Sequence, residues 1–183
     1  DRSGFSDARY SLVEAERPSC VASLFREGQA ELGGKKRALA LKKTFSFRKG
    51  GLSVDYEIGS KESQPLAFRL CVELSLAAGA SADAVALAGI RGRDEIGLET
   101  GKKCSESDLN GLRLTNLAKG EKIEVRSDFP FALSHVPVHG SPNGSQGGPE
   151  RPSYQGCGLV LGWDLELPPD SSRRLSITLE LRS

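Results

Sequence analysis

From Leu39 to Leu76 the chain repeats an apolar residue at every second position, in three successive sets. Leu39, Leu41, Phe45 and Phe47 form the first, Leu52, Val54, Tyr56 and Ile58 the second, and Leu66, Phe68, Leu70, Val72, Leu74 and Leu76 the third. Lys42, Thr44, Ser46, Asp55, Glu57, Arg69 and Glu73 fill the positions between. Strand side chains alternate between faces, so each set predicts a ribbon with one apolar and one wetted side. Lys49-Gly50-Gly51 and Gly59 to Ser63 carry turn chemistry, which makes the stretch an antiparallel meander in need of a covering layer.

The same period returns later. Leu159, Leu161, Trp163, Leu165 and Leu167 alternate with polar or small residues, Pro168-Pro169-Asp170 turns the chain, and Leu175, Ile177, Leu179 and Leu181 follow. This predicts a second hairpin. Leu112 and Leu114 joined to Ile123 and Val125 through residues 117–121 predict a third. Phe129, Phe131 and Leu133 read as a further strand, with Pro130 marking an edge or a bulge. Weaker strands are expected near 9–15, 20–25 and Val85–Ile90, and at most one short strand within 91–111. Residues 137–152, rich in Gly, Pro, Ser and Asn, read as one long loop. With about nine to eleven strands and no amphipathic helix, the expected fold is an all-β antiparallel sandwich, one domain over residues 1–183.

Charge and composition narrow the partners. Net charge is +1, and hydrophobic residues make up 38%. Nucleic-acid binders carry a strong basic excess, so no nucleic-acid partner is expected. No apolar run approaches the ~20 residues that span a bilayer, so no membrane partner is expected either. Cys20, Cys71, Cys104 and Cys157 lie far apart and form no Cys-x-x-Cys pair. Free thiols in a reducing, cytoplasmic compartment are the reading, with a long-range disulfide left open. The chain begins at Asp1 and has no Met, which suggests an excised piece of a larger protein.

Candidate chemistry is sparse. His135 and His139 would pair on a metal only in a helix; in extended backbone they lie roughly 13 Å apart. No metal and no cofactor are expected. Gly156-Cys157-Gly158 precedes a strand, whereas phosphate loops lead into a helix N-terminus. Asp55, Glu57 and Glu73 project outward, and a glycosidase pair needs carboxyls roughly 5 to 9.5 Å apart. Catalytic residues: none are assigned. Tyr154, Trp163 and Gln155 are the candidates for carbohydrate binding, with the parity of Trp163 favouring the core.

Taken in order, several segments resemble the C-terminal β-sandwich of the α-amylase and 4-α-glucanotransferase group in glycoside hydrolase family 57. They are Asp1-Arg2-Ser3-Gly4-Phe5-Ser6-Asp7, Leu41 to Phe47 with Leu52 to Ile58, and Phe68 to Leu76, where Ser75 replaces a family Asn. Ser145-Gln146-Gly147-Gly148-Pro149-Glu150 with Tyr154-Gln155-Gly156 and Leu161-Gly162-Trp163 is the fullest, with Gln146 in place of a family Glu. The resemblance implies a galactose-mutarotase-like super-sandwich following a catalytic (β/α) barrel, which holds the nucleophile and acid of a retaining mechanism. It therefore implies that this chain is not an enzyme itself, packs on that barrel and flanks an α-glucan cleft. An independent α-glucan-binding module is the alternative.

Overall fold

The computed structural model describes residues 5, 9–16, 19–77, 82–140 and 153–182. These residues are almost wholly strand: β1 (Ser11–Glu16), β2 (Val21–Leu32), β3 (Lys35–Arg48), β4 (Gly51–Ser60), β5 (Leu66–Leu76), β6 (Val85–Arg91), β7 (Asp94–Leu98), β8 (Cys104–Asn116), β9 (Lys122–Gly140), β10 (Ser153–Leu167) and β11 (Ser171–Arg182). One 3₁₀ turn, Ala82–Ala84, is the sole helical element among the described residues. The all-β expectation holds, and the strand pairings with defined register are antiparallel.

The chain forms two compact units from interleaved segments: Asp1–Leu70, Ser127–Phe129 and Asp164–Leu179 in the first, Cys71–Arg126, Pro130–Trp163 and Glu180–Ser183 in the second. In the first unit β2 and β3 pair without a slip from Val21↔Ser46 to Leu32↔Lys35. Gly33 and Gly34 close that hairpin with φ of 56 and 73, the left-handed pair a two-residue turn needs. β3 and β4 pair from Ala40↔Gly59 to Arg48↔Gly51, as their alternation requires. Leu39, Leu41, Val54, Tyr56 and Ile58 are buried, whereas Phe47 at the strand end is exposed.

Two expected hairpins are not formed. β4 is flanked by β3 and β11, β5 pairs with β10, and β10 pairs with β5 and β9. Thus the third strand of the meander leaves the second, and β10 does not pair with β11. The connectors supply the reason. Pro168 and Pro169 lack the amide donors a tight hairpin would use. Glu62, after β4, accepts bonds from Arg37 Nη1 and from the Ala38 amide, each at 3.0 Å, and its carbonyl accepts from the Asp170 amide at 3.1 Å. The 61–65 segment is thereby held along β3 and the strand after it is directed elsewhere.

In the second unit β6 pairs with β7 and β8, β8 with β9, and β9 with β10. The 117–121 hairpin is as expected: Leu114 faces Ile123, and Asn116 Oδ1 accepts from the amides of Ala118 and Lys119. Residues 91–111 hold more strand than expected, β7 and the start of β8. Their outward positions, Ser105 and Ser107 among them, hide the period. β9 also runs on through Pro137 to Gly140, shortening the expected long loop; its remainder, 141–152, lies outside the described residues. Pro137 lies beyond the end of the β8 ladder at Cys104↔His135, opposite Cys157 of β10. At Pro130 the register shifts: Leu109 faces Phe131, yet Gly111 already faces Arg126, a bulge as expected.

Candidate functional site

The carbohydrate candidates fall on β10. Trp163 is 2% exposed and packs against Phe131 at 5.8 Å between ring centroids. Tyr154 is 6% exposed and meets His139, its cross-strand neighbour, edge-on at 6.1 Å. Neither ring offers an open face for stacking; of the three, only Gln155 is exposed. Burial, and then the neighbouring Cys157, push the Tyr154 hydroxyl up to about 12. A Cβ on Gly156 would stand 2.3 Å from the Leu76 carbonyl oxygen, so this glycine serves close backbone packing.

His135 is 1% exposed in the C-terminal part of β9. Its Nδ1 lies 3.0 Å from the Lys102 carbonyl and 3.7 Å from Cys104 Sγ. A neutral ring donating from Nδ1 to that carbonyl leaves Nε2 as a bare acceptor, buried without a hydrogen-bond partner. Burial lowers the His135 pKa against the opposing pull of the Lys102 bond. Burial, with Glu106 and Glu99, raises that of Cys104. A thiol pushed up beside an imidazole pushed down stays a neutral pair, which is not an activated nucleophile. His139 lies exposed farther along the same extended strand. Among the described residues no three His, Cys, Asp or Glu side chains group as metal ligands, and Cys71, Cys104 and Cys157 are free thiols. Asp55 and Glu57 sit on β4 and Glu73 on β5, strands that do not pair, so no carboxylate dyad forms across a ladder.

Two polar clusters escape pattern reading. Glu124 on β9 shares parity with outward positions but is only 2% exposed. Its Oε1 accepts from Arg113 Nε at 2.9 Å and Nη2 at 2.7 Å, and its Oε2 lies 3.4 Å from Arg126 and 3.3 Å from Arg182. Arg113 also pairs with Glu95, and Arg182 with Glu180. Burial alone would raise the Glu124 pKa; the Arg113 hydrogen bond and the charges of Arg113, Arg182 and Arg126 outweigh it and hold the carboxyl low. Three guanidiniums against three carboxylates make this a closed structural network.

The second cluster lines a shallow open groove of the first unit, of ≈ 470 Å³. Ala67, Phe68 and Arg69 of β5, Asp164, Leu165 and Glu166 of β10, and Arg173 of β11 form it. Arg69 donates a parallel fork to Asp164, Nε to Oδ1 at 2.8 Å and Nη2 to Oδ2 at 2.6 Å. The Arg173 guanidinium lies over the Phe129 ring at 5.1 Å. The Arg69 hydrogen bonds lower the Asp164 pKa, so that the carboxylate stays charged. A sequence signal existed, in that Arg69, Asp164 and Glu166 occupy outward parities, but the pairing of β5 with β10 was not legible.

No family model matches this chain, and no curated protein does. Solved structures do. A 4-α-glucanotransferase from Thermococcus litoralis aligns with a TM-score of 0.64 at 16% identity, over 97% of this chain and 23% of that one. A galactose mutarotase-like protein from Lactobacillus casei aligns at 0.67 and 16% identity, over 96% of this chain and 74% of that one. A galactose mutarotase related enzyme from Lactobacillus acidophilus aligns at 0.67 and 9% identity, over 98% and 73%. The fold is therefore the antiparallel galactose-mutarotase-like sandwich. One expectation is corrected by the same comparison. The chain was read as not an enzyme because it lacks catalytic motifs, yet a protein of this fold is named as an enzyme. Motif absence carries no weight here, since side chains on separate strands converge without a shared local sequence. Among the described residues no helix is long and apolar enough to cross a membrane.

Proposed function

We propose that this chain is the carbohydrate-handling β-sandwich of an α-glucan-processing enzyme of the α-amylase or 4-α-glucanotransferase type, working beside a catalytic (β/α) barrel of the same polypeptide. One observation carries the reading: the fold of nearly the whole chain is found within a 4-α-glucanotransferase. The order of the family-like segments, Leu41 to Phe47, Leu52 to Ile58 and Leu161-Gly162-Trp163, supports it. A cytoplasmic location belongs to the same proposal, supported by the free thiols of Cys71, Cys104 and Cys157. Calorimetric titration with maltoheptaose tests it. Saturable binding is expected, and a flat titration with maltoheptaose and shorter maltooligosaccharides overturns it.

A second reading is anomer interconversion of a free aldose, favoured by the mutarotase-named neighbours of the same fold. Polarimetry on freshly dissolved α-D-glucose and α-D-galactose decides it. Protein-dependent acceleration of the rotation change supports this reading, and an unchanged rate removes it.

A further inference from the structure

We infer that the groove between Phe68, Arg69, Asp164, Glu166 and Arg173 is a subsite for a neutral gluco-oligosaccharide. The inference rests on the carbohydrate reading above. Three features of the groove point to that ligand class.

Its charges cancel. Arg69 and Arg173 stand against Asp164 and Glu166, so neither an anion nor a cation gains from the local field. Its polar groups are complementary to hydroxyls. A sugar hydroxyl both donates and accepts, a guanidinium only donates and a carboxylate only accepts. Asp164 has about four lone-pair sites, of which the Arg69 fork occupies two. The remaining sites face outward on a carboxylate that is largely exposed, with Glu166 two residues along the same strand and the same face.

The groups are also held before any ligand arrives. The parallel fork fixes the planes of Arg69 and Asp164 together, and the Arg173 guanidinium is held over the Phe129 ring. Such preorganisation reduces the ordering cost of binding. The groove is open to solvent along its length, with a volume of ≈ 470 Å³.

The test uses the full chain as it stands. Maltoheptaose is titrated by calorimetry into the wild type, Arg69→Gln, Asp164→Asn and, away from the groove, Glu57→Gln. Circular dichroism and a thermal melt confirm that each variant is folded. A fall in affinity of about tenfold or more in both groove variants is expected, because hydrogen bonds to charged groups are the strong ones. Glu57→Gln should bind like the wild type. If maltoheptaose binds and both groove variants bind it equally well, the groove is refuted while the carbohydrate reading stands. If glucose 6-phosphate binds at the groove more tightly than neutral maltooligosaccharides, the charge-balance argument is refuted. If no saccharide binds the wild type, the groove and the carbohydrate reading fall together.

Discussion

Replacing Glu124 by Gln should destabilise the second unit by about 2 kcal/mol, a cost derived from the geometry of the site. Removing one member of a buried ion pair typically costs about 3–5 kcal/mol, because the partner is left uncompensated. Three facts reduce that figure here. Gln keeps an oxygen that accepts from Arg113 across the same ladder position. Arg113 retains Glu95, and Arg182 retains Glu180. Arg126 and Arg182 are 51% and 53% exposed, so water screens them once the carboxylate is neutral. What remains is the lost charge on a group that is 2% exposed. Urea unfolding followed by circular dichroism provides the assay. With a slope of roughly 2 kcal/mol per molar urea, the midpoint should fall by about 1 M. Glu57→Gln, which cuts an exposed pair with Arg174, is the control and should leave the midpoint in place. A Glu124→Gln midpoint within about 0.3 M of wild type would refute the argument. The pH dependence has a defined sign. The Glu124 pKa is lowered in the fold, so its stabilisation is complete above 4.5, the ordinary value, and fades as pH falls through the folded pKa.

Further outcomes follow from single positions. Gly156→Ala places a methyl 2.3 Å from the Leu76 carbonyl oxygen, a backbone atom that cannot rotate away. The melting temperature should fall by about 5 °C or more, and an unchanged melt would show that β5 and β10 shift freely. Buried His135 has a pKa lowered from 6.5, so the unfolded chain takes up the proton more readily. Stability should be constant above that value and decline as pH falls below it, by no more than about 1.4 kcal/mol per pH unit. Unfolding midpoints between pH 7.5 and 5 measure this, and His135→Gln should flatten the slope in that window; an equal slope in wild type and variant assigns it to other groups.

Much of the architecture was legible because a strand records its environment locally. The sets at Leu39–Leu41, Val54–Ile58 and Leu159–Leu167 declare one dry face each, and those residues are buried. Gly33-Gly34 and Asn116 to Gly120 place two turns by their own backbone preferences. The long loop expected at 137–152 shows where the method stops. Pro137 and Gly140 carry loop composition, yet they lie in β9 because β10 supplies a partner ladder. The candidate aromatics show the same limit, since Tyr154 occupies a junction where sequence alone allows either exposure or burial.

The alternation of polarity shows that this chain is β, where its most regular strands run and which side of those is dry, since these depend on a period of two within one strand. Partnership between strands depends on surfaces brought together from distant positions, and no local period encodes it. Only the tertiary structure therefore decided that β4 pairs with β11 and β5 with β10. The β5–β10 pairing set Arg69 against Asp164, and the return of β11 brought Arg182 to Glu124.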